Sequence, residues 1–336
     1  MSSLDQRPGL VVLATLAFAV AAGAAAAAWM IAMPGESWTG PLEPISPAER
    51  ESADRLRAHV IAVASREHNM SDPVAYDAAA AYIETELGKS GHAVRRLSLP
   101  APLTAVRNVE AEIAGPAGAA VIVVGAHYDS VAGAPGANDN GSGVAATLEL
   151  ARRMAAWKPK HTWRFVFFAN EEPPYFGGDT MGSAVYAREA KRRGDRVAAM
   201  FSLETMGYYR DAPGSQMYPW PLNHFYPDRG NFIAFVGNVS SRSLVRRTIA
   251  AFRARARFPS EGAAAPASIP GIDWSDHSSF WKEGWPALQV TDTAPFRYPH
   301  YHTAQDTPDK VDYERLARVV AGLDAAFREL DASISP

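Results

Sequence analysis

The chain contains no cysteine among its 336 residues, which excludes disulfides, thiolate metal ligands and a cysteine nucleophile. It has no basic excess either. Lys and Arg number 33 against 36 Asp and Glu, a formal net charge of −3, and this argues against a nucleic-acid partner. Several chemical signatures are also missing. There is no G-x-S-x-G nucleophile elbow, no H-E-x-x-H of a helix-borne single-zinc peptidase, and no P-loop or G-x-G-x-x-G to cradle phosphates. No internal repeat and no second domain boundary is visible. Any metal must therefore be held by His, Asp and Glu.

The N-terminus is distinctive. From Leu10 to Met33 the chain runs 24 residues without a charge. At a rise of about 1.5 Å per residue that is about 36 Å of helix, against a hydrocarbon core of roughly 30 Å. A secretory signal has an apolar region of only about 7 to 15 residues, although the alanine-rich stretch offers small-residue cleavage sites, and a cleaved chain would be secreted. The expectation is a transmembrane signal anchor at 10–33 behind a short cytoplasmic tail, 1–9. Arg7 precedes the run, whereas Glu36, Glu43, Glu49 and Glu51 follow it with a single Arg50. That charge bias places the rest of the chain outside the cytoplasm, periplasmic or extracellular. Six prolines or glycines within Met33–Pro47 mark 34–47 as a linker, and 48–336 as the folded domain.

Within that domain, short apolar runs alternate with helical patterns. Runs such as "AAVIVVGAH", "TWRFVFFAN", "VAAMFSLE" and "PALQVTD" read as buried strands, and "SGVAATLELARRMAAW" and "DYERLARVVAGLDAAFREL" as helices. This order predicts an α/β domain whose central sheet is mixed but mainly parallel, flanked by helices on both faces. One segment, 205–230, breaks the rhythm with four prolines and six aromatic residues, and reads as a lid or substrate wall.

Ligands in open α/β sheets gather beyond the carboxyl ends of the strands. Four predicted strands end there in His127, in Glu171 and Glu172, in Glu204, and in Asp292, and the glycine-rich loop after the first holds Asp139. Carboxylates facing one another along one edge are costly unless a cation neutralises them. With no thiols, zinc suits such imidazole and carboxylate donors best. Three liganding carboxylates and a bridging hydroxide balance two Zn²⁺ per chain. The loop before the last helix offers His300 and His302 to complete the set.

Taken together, "AHYDS", "PGANDNGSG", "FANEE", "SLETMGYY", "SDHSSFW" and "YHTAQDTPDK" resemble the co-catalytic dizinc aminopeptidase family. This group includes bacterial leucyl aminopeptidases, aminopeptidase Y, glutamate carboxypeptidase II and, as an offshoot, the glutaminyl cyclases. The resemblance implies a zinc exopeptidase fold. It makes His127, Asp139, Glu172, Glu204 and His302 the metal ligands, with Asp139 bridging, and Glu171 the general base. It places Asp129 behind His127 and Asp306 behind His302, makes Tyr301 a substrate contact, and sets Asp276 and His277 in the wall of the site; His300 becomes a bystander. Glu204 stands where the family commonly has aspartate. Asn138 and Asn140 stand where it often has acidic residues.

The implied reaction is hydrolysis of the N-terminal peptide bond of peptides with a free N-terminus, by a metal-activated water and Glu171. Two rivals remain. A glutaminyl-peptide cyclotransferase would use one zinc, and a non-catalytic membrane scaffold would use the fold alone.

Overall fold

The computed structural model describes residues 8–100, 103, 106–220 and 222–334, and at 8–11 and 14 the backbone only. The strands are β1 (Val94–Ser98), β2 (Arg107–Ile113), β3 (Val121–His127), β4 (Thr162–Phe168), β5 (Val197–Leu203), β6 (Ile233–Asn238), β7 (Ser260–Ala265) and β8 (Ala287–Thr291). They form one sheet in the order β1-β2-β4-β3-β5-β8-β6-β7. The central β4, β3, β5 and β8 are mutually parallel. β6 and β7 run parallel to each other but antiparallel to β8, and β1 and β2 form an antiparallel margin. The expected mixed, mainly parallel sheet is thus present.

The helices are α1 (Pro8–Ile31), α2 (Pro47–Ala64), α3 (Pro73–Lys89), α4 (Gly143–Met154), α5 (Gly182–Arg192), α6 (Arg242–Arg255), α7 (His277–Lys282) and α8 (Tyr313–Ser333). Every residue of β3 is buried, and alternate side chains enter two cores. Ile122 and Val124 pack with the layer containing α2, α4, α6 and α8, whereas Val121 and Val123 pack with α5 and α7. This two-sided burial is why the strand reads as an unbroken apolar run.

Polar anchors complete the packing. The buried Asp331 of α8 accepts hydrogen bonds from the backbone N–H of Lys160 and His161 and from the Trp163 indole, at 2.7, 3.0 and 3.0 Å, and also meets the His161 ring. Removing that carboxylate leaves several buried donors unpaired, so Asp331→Ala should cost about 3 kcal/mol, read as a lowered urea midpoint at unchanged slope.

Three elements escaped the sequence patterns. β1 is largely exposed and carries two arginines, β7 has no β-branched or aromatic residue, and α7 is only six residues long. β7 is a strand because β6 pairs with it from Ile233↔Ser260 to Asn238↔Ala265.

The N-terminal expectations fare differently. The run is one helix, α1, with Leu13, Leu16, Phe18 and Val20 exposed. Among the described residues, however, no helix is long and apolar enough to cross a membrane. The tail at 1–7, including Arg7, lies outside the described residues. The linker is docked rather than free: the Arg253 guanidinium of α6 donates to the carbonyls of Pro34 and Gly35, and Met33, Leu42 and Ile45 pack on the core. Ser46 and Glu49 close a capping box that starts α2 at Pro47.

Candidate active site

Because β3, β4, β5 and β8 are parallel, their carboxyl ends open on one edge of the sheet, and the polar residues converge there. His127 ends β3 with its Nε2 at 3.2 Å from Asp139 Oδ1, 3.3 Å from Glu204 Oε2 and 3.8 Å from Glu171 Oε2. His302 approaches from the loop before α8, its Nε2 at 3.0 Å from Asp139 Oδ2 and 3.4 Å from Glu172 Oε2. Asp139 therefore offers one oxygen to each histidine. Two donor groups share Asp139, one with His127 and Glu204 and the other with Glu172 and His302, and a third joins His127 to Glu171 and Glu172; within each the ligand atoms lie within 4.8 Å of one another. Glu171 and Glu172, adjacent in sequence, turn toward different histidines.

The surrounding residues explain how the chain holds this geometry. Asp129 accepts the backbone N–H of Glu171 and Glu172 on its two oxygens, both at 3.0 Å, while its own carbonyl takes His127 Nδ1 at 3.0 Å. It thus orients the imidazole through its backbone and the acidic pair through its side chain. Asp306 departs from expectation. Its carboxylate does not back His302 but accepts the N–H of Asn138 and Asp139 and the hydroxyl of Tyr298. Three convergent donors capture it and fix the loop that aims Asp139.

Left-handed backbone marks the same edge. Asn170, Thr205 and His302 have φ of 55°, 38° and 56°, and each flanks or is a residue of the cluster. Such conformations are uncommon outside glycine, above all for a β-branched residue, and concentrate where structure over-determines a site.

The two asparagines have defined work. Asn140 Nδ2 donates to the Leu203 carbonyl and to Glu204 Oε2 at 2.9 and 3.1 Å; Asn138 donates to Asp292 and accepts from Gly207 N–H. An aspartate at 140 would set a like charge against Glu204. The amide at 140 and the longer carboxylate at 204 therefore form a matched pair, and Ser275 adds a hydroxyl to Glu204 at 2.9 Å. Asp292, flagged in the sequence as a strand-end acid, serves as a hub for Thr205, Asn138 and Tyr208.

Tyr301 stacks on His302 with centroids 3.9 Å apart, and lines a cavity that reaches Glu204. Asp276 is fully buried with neither oxygen hydrogen-bonded, and burial pushes it up to about 7. His277 turns away: Nε2 meets the Ile272 carbonyl, the ring packs edge-on against Trp281, and burial lowers it to about 4. It belongs to the wall. His300 stands edge-on to Tyr298.

The described residues of the 205–230 segment form a loop with one 3-10 turn, Leu222–His224, and Tyr218, Leu222 and Tyr226 line a cavity together with Ala234, Glu261 and Thr291 of the sheet. Arg297, unmarked in the sequence, clamps the loop by donating to Gln216 and to the carbonyls of Gly230 and Phe232. The cavity against the loop is mainly apolar, and its lining includes Glu204 and Tyr301.

The electrostatics fit a divalent metal. Three buried polar atoms at the centre, His127 Nε2, Asp139 Oδ1 and Glu172 Oε1, have no hydrogen-bond partner. With protons as the only counter-charges, burial pushes Glu172 and Glu204 up to about 7 and Glu171 well above the usual carboxylate range. Burial opposes the charge on His302, yet its hydrogen bonds to Asp139 and Glu172 carry it up to about 10. Burial would raise Asp139 too, but His127 and His302 hold it well below the ordinary value. A cation binds the deprotonated donors and must displace those protons. Competition therefore grows as pH falls through 7. Zinc retained after dialysis should drop steeply between about pH 8 and about pH 6, and retention that is flat across that range would contradict this.

Residues 108–326, which contain every one of these positions, match Peptidase family M28. The chain belongs to peptidase family M28. It is 42% identical over 253 residues to the YfbL protein of Escherichia coli, covering 73% of this chain and 77% of that one. A probable leucine aminopeptidase of Arthroderma otae is 27% identical over 231 residues, covering 62% of this chain and 53% of the other. The chain thus spans about half the length of the leucine aminopeptidases it matches. Among solved structures, the Legionella pneumophila LapA aminopeptidase superposes with a TM-score of 0.68 at 18% identity, covering 88% of this chain and 78% of that one. A glutaminyl cyclase from Porphyromonas gingivalis gives 0.61 at 19% identity, with coverage of 85% and 99%. This chain shares its fold with both proteins, so the site residues must discriminate.

Proposed function

We propose that this M28 protein is a zinc-dependent aminopeptidase that holds two zinc ions through His127, Asp139, Glu172, Glu204 and His302. The observation that carries this reading is the placement of Asp139, with one oxygen toward each of two donor groups and three orphaned atoms between them. Bound there, the ions would supply a water of lowered pKa and a Lewis acid for the scissile carbonyl.

The chain's own residues supply the rest. Glu171 sits beside the cluster with its backbone fixed by Asp129, close enough to take a proton from an attacking water and return it to the leaving amine. Its burial raises its proton affinity, as that double role requires. Tyr301, stacked on His302, is held protonated by its burial and then by the neighbouring carboxylates, and so can hydrogen-bond a substrate carbonyl. The aromatic loop and Tyr301 wall the cavity, and this favours attack at a chain end over attack within a long chain.

The cyclase reading is disfavoured because His127 and Glu204 complete a second donor group with Asp139 that a one-zinc site would not use. The scaffold reading is disfavoured because all five ligand positions and the base carry competent side chains. The test is mass spectrometry of peptides incubated with zinc-loaded protein. Loss of the N-terminal residue from free-amine peptides, and none from N-acetylated ones, is expected; cyclised Gln-peptides or no reaction would overturn the proposal.

The same reading has α1 hold the domain at a membrane surface. Its uncharged run and the exposed Leu13, Leu16, Phe18 and Val20 support this. Full-length protein should sediment with vesicles, and protein starting at Pro34 should not.

A further inference from the structure

The cavity beneath the aromatic loop is not a compact pocket but a trough laid across four strands. Its floor follows from the register. Leu203 pairs with Val290, which places Glu204 beside Thr291. Thr291 pairs with Ala234, and Ala234 with Glu261. Glu204, Thr291, Ala234 and Glu261 therefore form one row on one face of the sheet. Three inter-strand steps of about 4.8 Å make that row about 14 Å long. The other face of β6 and β7 is covered by α6, where the rings of Phe235 and Phe252 pack 5.2 Å apart. Among the described residues, the trough face is walled by the loop together with the segments that carry Trp274 and Phe296.

The ends and the middle of the row differ sharply. One end is the metal-ligand cluster at Glu204. The middle is small, Thr291 and Ala234, with Phe232, Trp274 and Phe296 among the walls. The far end is a second carboxylate, Glu261, on the edge strand. Tyr218 and Tyr226 flank it, stacked 5.7 Å apart. Their hydroxyls donate to the carbonyls of Pro227 and Gly262, both at 2.7 Å, so neither is committed to Glu261. The nearby Ser37 hydroxyl accepts the Ser260 N–H at 2.9 Å. The ion partner of Glu261 among the described residues is Arg253, at 3.9 Å, beyond hydrogen-bond distance. The Arg253 donors go instead to Ser260 and to the carbonyls of Pro34 and Gly35. Glu261 thus faces an apolar channel without a charged hydrogen-bond donor.

We propose that Glu261 is the specificity-determining residue for substrates with an N-terminal lysine or arginine, whose side chain lies along the trough and pairs with this carboxylate while the scissile bond sits at the metal cluster. The inference rests on the aminopeptidase reading and names its substrate class. Lengths support it. An extended lysyl or arginyl side chain reaches about 6 to 7 Å from its Cα, and a charge-assisted hydrogen bond adds about 3 Å at its tip, together about 10 Å of the row, which leaves about 4 Å between Glu204 and the substrate Cα at the metal cluster. A leucyl side chain ends roughly halfway and leaves the carboxylate facing an empty apolar channel. The aromatic walls accommodate the aliphatic stem, and Tyr218 and Tyr226 can face a cation with their rings.

The test compares Lys-, Arg-, Leu- and Phe-aminomethylcoumarin with wild type, Glu261→Gln and Glu261→Asp. Wild type should favour Lys and Arg. Glu261→Gln should lower kcat/KM for both by about 30-fold and leave Leu within about twofold. Glu261→Asp should retain Arg better than Lys, because a shorter carboxylate needs the longer partner. A wild-type preference for Leu or Phe, or a Gln variant that slows all four substrates alike, would overturn the proposal. A second readout separates it from the aminopeptidase reading. In the Glu171→Gln background, calorimetry should show Lys-Ala-Ala binding about tenfold tighter than Leu-Ala-Ala, with the difference lost on adding Glu261→Gln. If that difference is seen and no substrate is hydrolysed, the aminopeptidase reading falls and the assignment of Glu261 stands. Equal binding of the two peptides overturns the assignment.

Discussion

Glu171→Gln should lower kcat on aminoacyl substrates by about a thousandfold while the zinc content stays that of wild type. The two carboxamide and carboxylate side chains are nearly isosteric, and the backbone N–H of residue 171 still meets Asp129, so the loop keeps its shape. What disappears is a proton acceptor 3.8 Å from His127 Nε2, at the centre of the cluster. Because the lost interaction is made only as the proton moves, KM should change little. Steady-state kinetics with metal analysis on the same samples checks both halves. Loss of zinc together with activity would recast Glu171 as a ligand; an unchanged rate would place the base elsewhere.

The second large effect is in metal occupancy. Asp139→Ala should bring zinc close to zero per chain, whereas Glu204→Ala should leave about one. The asymmetry follows from position. Asp139 is shared by both donor groups, so its loss leaves each with two donors. Glu204 belongs to the His127 group alone, and its removal leaves Asp139, Glu172 and His302 intact. Metal analysis after dialysis against zinc-free buffer separates the cases. Equal losses in the two variants would contradict a shared bridge.

These residues were legible in the sequence for one reason: a parallel sheet aligns its carboxyl ends, so the polar residues ending "VIVVGAH", "FVFFANEE" and "MFSLE" had to meet. The joint pattern of strand ends brought these residues to one edge, and the family resemblance assigned their roles. Other parts of the site depend on long-range register that no local pattern carries. Asp306 was placed behind His302, four residues earlier in the sequence, but the N–H groups of Asn138 and Asp139 claim it from across the fold. Arg297 gave no signal because its partners, Gln216, Gly230 and Phe232, are carbonyl-type acceptors on a distant loop. Glu261 was invisible for a related reason. β7 is a strand of small residues that exists by pairing with β6, and only that pairing sets its carboxylate in line with Glu204.

Asn138 and Asn140 show how a departure from the family pattern acquires a reason. As isolated letters they look like weakened acids. In the structure their amides donate to Asp292 and Glu204, which carboxylates could not do. The substitution at 140 is compensated on the neighbouring strand.

The most direct test of the account is anomalous X-ray scattering at the zinc edge from crystals of the zinc-loaded protein. Two peaks are predicted, one on either side of the Asp139 carboxylate, the first beside His127 and Glu204 and the second beside Glu172 and His302. A single peak, or peaks away from Asp139, would contradict the two-metal site on which the proposed chemistry rests.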